Sequence, residues 1–233
     1  KTIIKGCLEI KTIPELDFLQ KNFDETIKNF DLKNVTFLLQ ESKEINAFAV
    51  LSLRKKYVII TTEMVEHILK SFDTQEAQDK AFQGLIAHEL IHYQQKIEGK
   101  DMLLKWVLNE GGADFIGEFI SGESINSSAY SYGEKNREKL YKEFVTRLKQ
   151  KDYQDWLYGT SGKDDRPNDL GYWIGYKIIE AYFNKQTDKH KAITEIINIK
   201  DPLLFLKESG FLDSYIKDYQ KSKKSNYEEF FKN

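Results

Sequence analysis

His88, Glu89 and His92 carry the densest chemistry in this chain. In His88-Glu89-Leu90-Ile91-His92 two imidazoles stand four positions apart, so on a helix they share one face and can share a metal ion. Glu89 would then lie beside the water that the ion activates. Hydrolytic zinc usually takes three protein ligands and leaves a fourth position to water. The third ligand should be a carboxylate, histidine or cysteine on another element packed near the first helix. Eighteen positions after His92 stands Glu110, within Asn109-Glu110-Gly111-Gly112-Ala113-Asp114. Glu110 and Asp114 share a helix face. One can bind the metal while the other accepts the N–H of a ligating histidine and fixes its tautomer.

The elements that must hold these residues follow from periodicity. Apolar positions Leu16, Leu19, Phe23, Ile27 and Phe30 predict a helix over 14–30. The runs Val35–Gln40, Ile45–Leu53 and Tyr57–Thr62 are β-branched and aromatic, and predict strands, the last two joined by a tight turn at Arg54-Lys55-Lys56. Glu63–Phe72 reads as a short helix. Asp79–Glu98 should be the helix of the histidine pair, stopped by Gly99, and Met102–Ile120 a second one folded back antiparallel. Further helices are expected over Glu134–Gln150, from a cap at Asn168 or Asp169 to Phe183, and over Lys189–Ile199 and Pro202–Ser209. The fold class is α+β: a small N-terminal mixed or antiparallel sheet, then a mostly helical C-terminal part. Residues 1–233 read as one domain, with 35–120 as the metal-site core and 121–233 as a helical extension.

Gly111 and Gly112 each cost a helix interior roughly 1 kcal/mol relative to alanine. Their presence predicts close approach of a neighbouring backbone, a metal or a substrate. Gly171 and Gly175 likewise clear one strip of the helix bearing Tyr172 and Tyr176. A hydrolytic zinc site that attacks a carbonyl needs a second electrophile for the tetrahedral intermediate. Tyr130, Tyr132, Tyr172 and Tyr176 are the candidates, and the glycines favour Tyr172 and Tyr176.

Composition sets the outer bounds. A hydrophobic share of 40% supports a real core, and a formal charge of −2 gives no global attraction to nucleic acid. No apolar run approaches the ~20 residues of a membrane span. Lys221-Ser222-Lys223-Lys224 reads as a solvated tail. A single cysteine, Cys7, excludes an internal disulfide and lacks the base partner of a nucleophile. The chain starts at Lys1; a removed signal peptide is one explanation, which would make the protein secreted or periplasmic, and a start chosen for expression is another, so the compartment stays open.

Downstream Glu110-x-x-Ala113-Asp114 makes the motif similar to that of the gluzincin metallopeptidases, and closer to the Ste24/HtpX-like group. Asn46-Ala47-Phe48-Ala49, followed by Tyr57-Val58-Ile59-Ile60-Thr61-Thr62, resembles that group's Asn-Ala-Phe-Ala segment and next strand. The compact ligand spacing and Gly171-Tyr172-Trp173-Ile174-Gly175-Tyr176 also resemble small predicted zinc proteases of the DUF2268 type. The likeness covers roughly 35–120 and the later Gly-Tyr segment. Membrane spans of the Ste24/HtpX group are missing, and the spacing to Glu110 is shorter. The resemblance implies a zincin-like fold and one Zn²⁺ held by His88, His92 and Glu110, with Asp114 behind a histidine. Glu89 would act as general base in peptide hydrolysis. A peptide or protein substrate would lie along Ile45–Leu53, with Asn46, Ala47 and Phe48 in contact.

Other features carry less. Gly159-Thr160-Ser161-Gly162-Lys163-Asp164 has the wrong glycine spacing for a phosphate loop, and Asp164 replaces its Ser/Thr. His67 and His190 read as packing or surface histidines. Trp106, Trp156 and Trp173 read as core. Asn34-Val35-Thr36 and Asn126-Ser127-Ser128 fit glycosylation acceptors, which matters only in a eukaryotic secretory setting. The leading expectation is a soluble zinc metallopeptidase. The alternatives are a non-catalytic binding protein on the same fold, and a zinc hydrolase of a non-peptide amide or ester.

Overall fold

The computed structural model of the protein describes residues 15–158 and 166–232. Cys7, the Pro14 start of the first helix and the Gly159–Asp164 loop lie outside the described residues. The chain groups into two compact units. The first holds the residues up to Gln94 together with Ile116–Ile125; the second holds Gln95–Phe115 and the residues from Asn126 onward.

The first unit is built from α1 (Glu15–Thr26), β1 (Val35–Gln40), β2 (Ala47–Ser52), β3 (Lys55–Thr61), α2 (Thr62–Ser71) and α3 (Gln75–Ile91). The strand order is β1-β3-β2, parallel on the β1 side and antiparallel on the β2 side, so the sheet is mixed. Val58 and Ile60, alternate residues of β3, are fully buried, and pack with Leu19 and Phe23 of α1 and Phe82, Leu85 and Ile86 of α3. The β2–β3 turn is tighter than the sequence suggested. Leu53 (φ 48°) and Arg54 (φ 65°) both take positive φ, the hand that suits a two-residue hairpin, and Lys55 and Lys56 pair as strand.

The histidine-bearing helix stops seven residues before its expected end, at Ile91 rather than Glu98. Its last turn tightens, with Tyr93 N–H donating to Leu90 O at 3.2 Å and Gln94 N–H to Ile91 O at 2.8 Å. Good helix formers follow, but tertiary bonds override them. In the second unit the N–H groups of Lys96 and Glu98 donate to Ile197 O and Ile199 O, each at 2.8 Å. Gly99 therefore does not stop the helix. It takes φ +93°, and a Cβ there would meet Pro202 Cδ at 2.9 Å.

Tyr93 fixes that early stop within the first unit. Its hydroxyl accepts from Tyr57 N–H at 2.9 Å and lies 2.7 Å from both Val50 O and Tyr57 O. Val50 and Tyr57 face each other across β2 and β3, so the residue after His92 is bonded to the sheet. Tyr93→Phe should cost about 1–2 kcal/mol, the worth of one or two such bonds, read as a lower chemical-denaturation midpoint.

The helix α4 (Leu103–Ser121) begins in the second unit and ends in the first. The second unit continues with α5 (Ser127–Lys135), α6 (Arg137–Arg147), α7 (Leu170–Lys185), α8 (Lys189–Ile197), α9 (Pro202–Ser209) and α10 (Asp213–Ser222). The single helix expected over Glu134–Gln150 is two helices broken at Asn136, whose side chain bonds Tyr132 O at 2.9 Å and competes with helical pairing. The C-terminal stretch read as a tail is folded as α10 and a 3-10 turn at Tyr227–Phe231 that buries Phe230; the lysines at 221, 223 and 224 are exposed. Trp156 and Trp173 are fully buried, Trp106 is half-buried, and His67 and His190 are exposed. No described helix is long and apolar enough to cross a membrane.

Candidate metal centre

Thr74 opens α3 by accepting the N–H of Ala77 at 3.2 Å, and the helix is buried almost continuously from Ala81 to Ile91. Two polar side chains are buried in that run, His88 (4% exposed) and Glu89 (5%). Enclosing an imidazole and a carboxylate among Ile86, Ala87, Leu90 and Ile91 is costly unless hydrogen bonds or a bound ion compensate. The Nε2 atoms of His88 and His92 lie 3.1 Å apart, with the rings nearly perpendicular at 86°. Two nitrogens on one tetrahedral zinc sit about 3.3–3.4 Å apart, given bonds of about 2.0–2.1 Å. The histidine pair fits that ion.

Two glycines let α4 approach α3 here. A Cβ on Gly117 would meet Gly84 O at 2.8 Å and His88 N at 3.5 Å, and one on Gly84 would meet Ser121 Oγ at 2.9 Å. The contacts run Gly84 to Ser121 and His88 to Gly117, so the helices are antiparallel, as expected. Gly117 follows Asp114 by three residues and Glu110 by seven, which places all three on one stripe of α4.

In the second unit, glycines again set the position of α4. A Cβ on Gly111 would lie 2.2 Å from Tyr176 N, and one on Gly175 would lie 1.8 Å from Val107 O. The neighbour predicted from these glycines is therefore the facing helix backbone, α7 against α4. Gly112 is looser, with Gln95 Nε2 at 3.3 Å.

Glu110 and Asp114 are each 6% exposed. Tyr158 donates its hydroxyl to Glu110 Oε1 at 3.0 Å. Asp114 Oδ2 accepts from Asn126 Nδ2 at 2.6 Å and from Tyr130 OH at 3.3 Å. One ligand atom each of His88, His92 and Glu110 lie within 4.8 Å of one another. Two imidazole nitrogens and a carboxylate oxygen are the donor set of a hydrolytic zinc site.

Within the second unit, negative charge concentrates around Glu110, Asp114 and Asp169. Burial, then the charges of Glu110 and Asp114, raise the pKa of Asp169 against the opposing bond from Tyr158 N–H. Burial, then Glu110, Asp169 and Asp114, hold the phenol of Tyr172 well above its ordinary pKa, so it stays protonated and able to donate. Tyr176 is a buried aromatic with its ring edge-on to Phe115 at 5.4 Å and Tyr130 at 5.2 Å. Of the four tyrosines considered, Tyr172 senses Glu110 and Asp114, Tyr130 bonds Asp114, and Tyr132 is half-buried on α5.

Asn46, Ala47 and Phe48 lie at the start of β2. Asn46 O accepts from Thr61 N–H at 3.0 Å, and Ala47 and Phe48 pair with Ile60 and Ile59. Within the described sheet, β2 is paired on one side only.

Sequence reading missed Tyr158 and Asn126 as neighbours of the carboxylates. From sequence, Asn126 reads only as a glycosylation acceptor. Tyr158 lies in no periodic element, and its contact to Glu110 spans 48 residues. Asp169 also differs from its expected role. It precedes α7 with φ 64° and makes no side-chain cap bond; its Oδ1 accepts instead from Tyr158 N–H at 2.9 Å. Tyr158 itself has φ 61°, a conformation that costs a non-glycine residue on the order of 1–3 kcal/mol and concentrates at functional sites.

A family model described as "Predicted Zn-dependent protease (DUF2268)" matches residues 20–200. No curated protein and no solved structure matches the chain.

Proposed function

Since the chain belongs to that family of predicted zinc-dependent proteases, we propose that it hydrolyses peptide bonds at one zinc ion held by His88, His92 and Glu110. The observation that carries this reading is the gathering of those three ligand atoms within 4.8 Å. When bound there, zinc supplies Lewis acidity, which polarises a carbonyl and makes water a nucleophile near neutral pH.

The remaining roles fall to side chains. Glu89, next to His88 in the buried turn, takes the proton of the attacking water and passes it to the departing amine. Asp114 accepts a ligating imidazole's N–H and fixes its tautomer, while Asn126 and Tyr130 hold its Oδ2. Tyr172 and Tyr176 are the phenols assigned to the carbonyl oxygen as it gains charge. Tyr172 is favoured by its electrostatic link to Glu110 and Asp114. The substrate strand adds to β2 at Asn46, Ala47 and Phe48, where the strand has an edge without a described partner.

Metal content tests the assignment. Purified protein should hold about one zinc per chain, and His92→Ala or Glu110→Gln should weaken binding by well over tenfold. Elemental analysis after dialysis reads this directly. Stoichiometric zinc in Glu110→Gln with unaltered affinity would remove Glu110 from the ligand set. Full occupancy with no cleavage across a diverse peptide library would leave a metal-binding protein and refute the peptidase reading.

A further inference from the structure

We propose that Tyr158 is a positioning residue for the third metal ligand: its phenol fixes the Glu110 carboxylate, and Asp169 fixes the Tyr158 backbone in turn. The proposal rests on Glu110 being a ligand. Tyr158 is 64% exposed, an odd place for a phenol bonded to a buried carboxylate.

The backbone around Tyr158 is anchored far more firmly than its exposure suggests. Trp156 and Leu157 are buried, and Gly171 N–H donates to Trp156 O at 2.7 Å. Gly171 permits this, since a Cβ there would meet Leu157 Cδ2 at 2.6 Å and Trp156 O at 2.8 Å. On the other side, Asp169 Oδ1 accepts the Tyr158 N–H. These bonds hold Tyr158 in the left-handed region, which is costly for a bulky residue, beside Asp169, whose short polar side chain tolerates the same conformation. The arrangement delivers one hydroxyl to Glu110 Oε1.

A carboxylate on a metal can bind through one oxygen or two, and can rotate between them. Engaging Oε1 restricts that rotation. It also draws electron density from the carboxylate, which tunes the ligand as partners behind a metal ligand commonly do.

The test uses the full chain and Zn²⁺ alone, with affinity read by competition against a chromogenic chelator. Tyr158→Phe keeps the ring and removes the donor, and should weaken zinc binding about 10–100-fold. Asp169→Ala, which frees the backbone, should weaken it in the same direction. In a Glu110→Gln background Tyr158→Phe should change affinity little, because the residue acts through that carboxylate. The Co²⁺-substituted form should show a shifted visible absorption spectrum in Tyr158→Phe, a readout that a merely structural role would not move. If the parent protein binds zinc in a Glu110-dependent way but Tyr158→Phe binds it equally well, the positioning role is wrong while the metal site stands. The same loss in both backgrounds would also overturn the proposal. A parent protein that binds no zinc overturns both.

Discussion

Glu89→Gln should lower peptide hydrolysis by about 10²–10⁴-fold while zinc content stays at the parental level. The amide keeps the size of the carboxylate and its place in the buried turn of α3, so packing around Leu90 and Ile91 is preserved. What it lacks is basicity. A carboxylate can take the proton of an attacking water and return it to the leaving nitrogen; a neutral amide can do neither. The loss should fall in kcat, since the missing interaction is made in the transition state. Steady-state rates and zinc content must be measured on the same preparation. Undiminished hydrolysis would take Glu89 out of the mechanism, and loss of zinc with activity would recast it as support for the ligands.

Gly175→Ala should be the most damaging of the conservative substitutions. Its methyl would lie 1.8 Å from Val107 O, 2.7 Å from the carbon of that carbonyl and 3.1 Å from Gly111 Cα. All three are backbone atoms, so no rotamer change relieves the clash, and α4 and α7 must move apart. Overpacking of this kind typically costs 1–3 kcal/mol and occasionally more; the backbone contact argues for about 3. For a chain of this length that is a fall of about 6–12 °C in Tm. Gly112→Ala is the control, because it meets the end of a flexible side chain, Gln95 Nε2, at 3.3 Å and gains helix propensity of roughly 1 kcal/mol. Thermal melts of the metal-free proteins separate the two. Comparable midpoints would mean that the α4–α7 approach is softer than its geometry indicates. Glu110 precedes Gly111 directly, so the same substitution should also weaken zinc binding.

Local chemistry made much of this legible in advance. Val35–Gln40 forms a strand with the expected ends, because its β-branched and apolar run is bounded by polar residues. Pro202–Ser209 forms the expected helix because three local signals agree: Asp201 caps it, Pro202 opens it and Gly210 (φ 65°) closes it. The histidine motif and the glycines of α4 and α7 announced themselves by spacing. Failures arose where a distant partner decided the outcome. The residues after Ile91 have good helix propensity, but Ile197 and Ile199 take the N–H groups of Lys96 and Glu98. The lysines near 221 hid an amphipathic helix whose buried residues are Ile216 and Gln220. Tyr158 carries no local signal, since its meaning lies in a carboxylate 48 residues away.

The Tyr93 hydroxyl, bound across the Val50–Tyr57 pair, limits how the hairpin can be altered. Adding one residue to the Leu53-Arg54 turn would slip β2 against β3 and reverse which face every β2 side chain presents. Val50 O would leave the phenol at the same moment, loosening the link between strand and His92. Variation in the outward-facing side chains of β2 leaves that link alone. Under the proposed function, exchange of side chains along this edge would alter substrate preference and leave that link intact, whereas an insertion or deletion in the hairpin would loosen the tie between the sheet and His92.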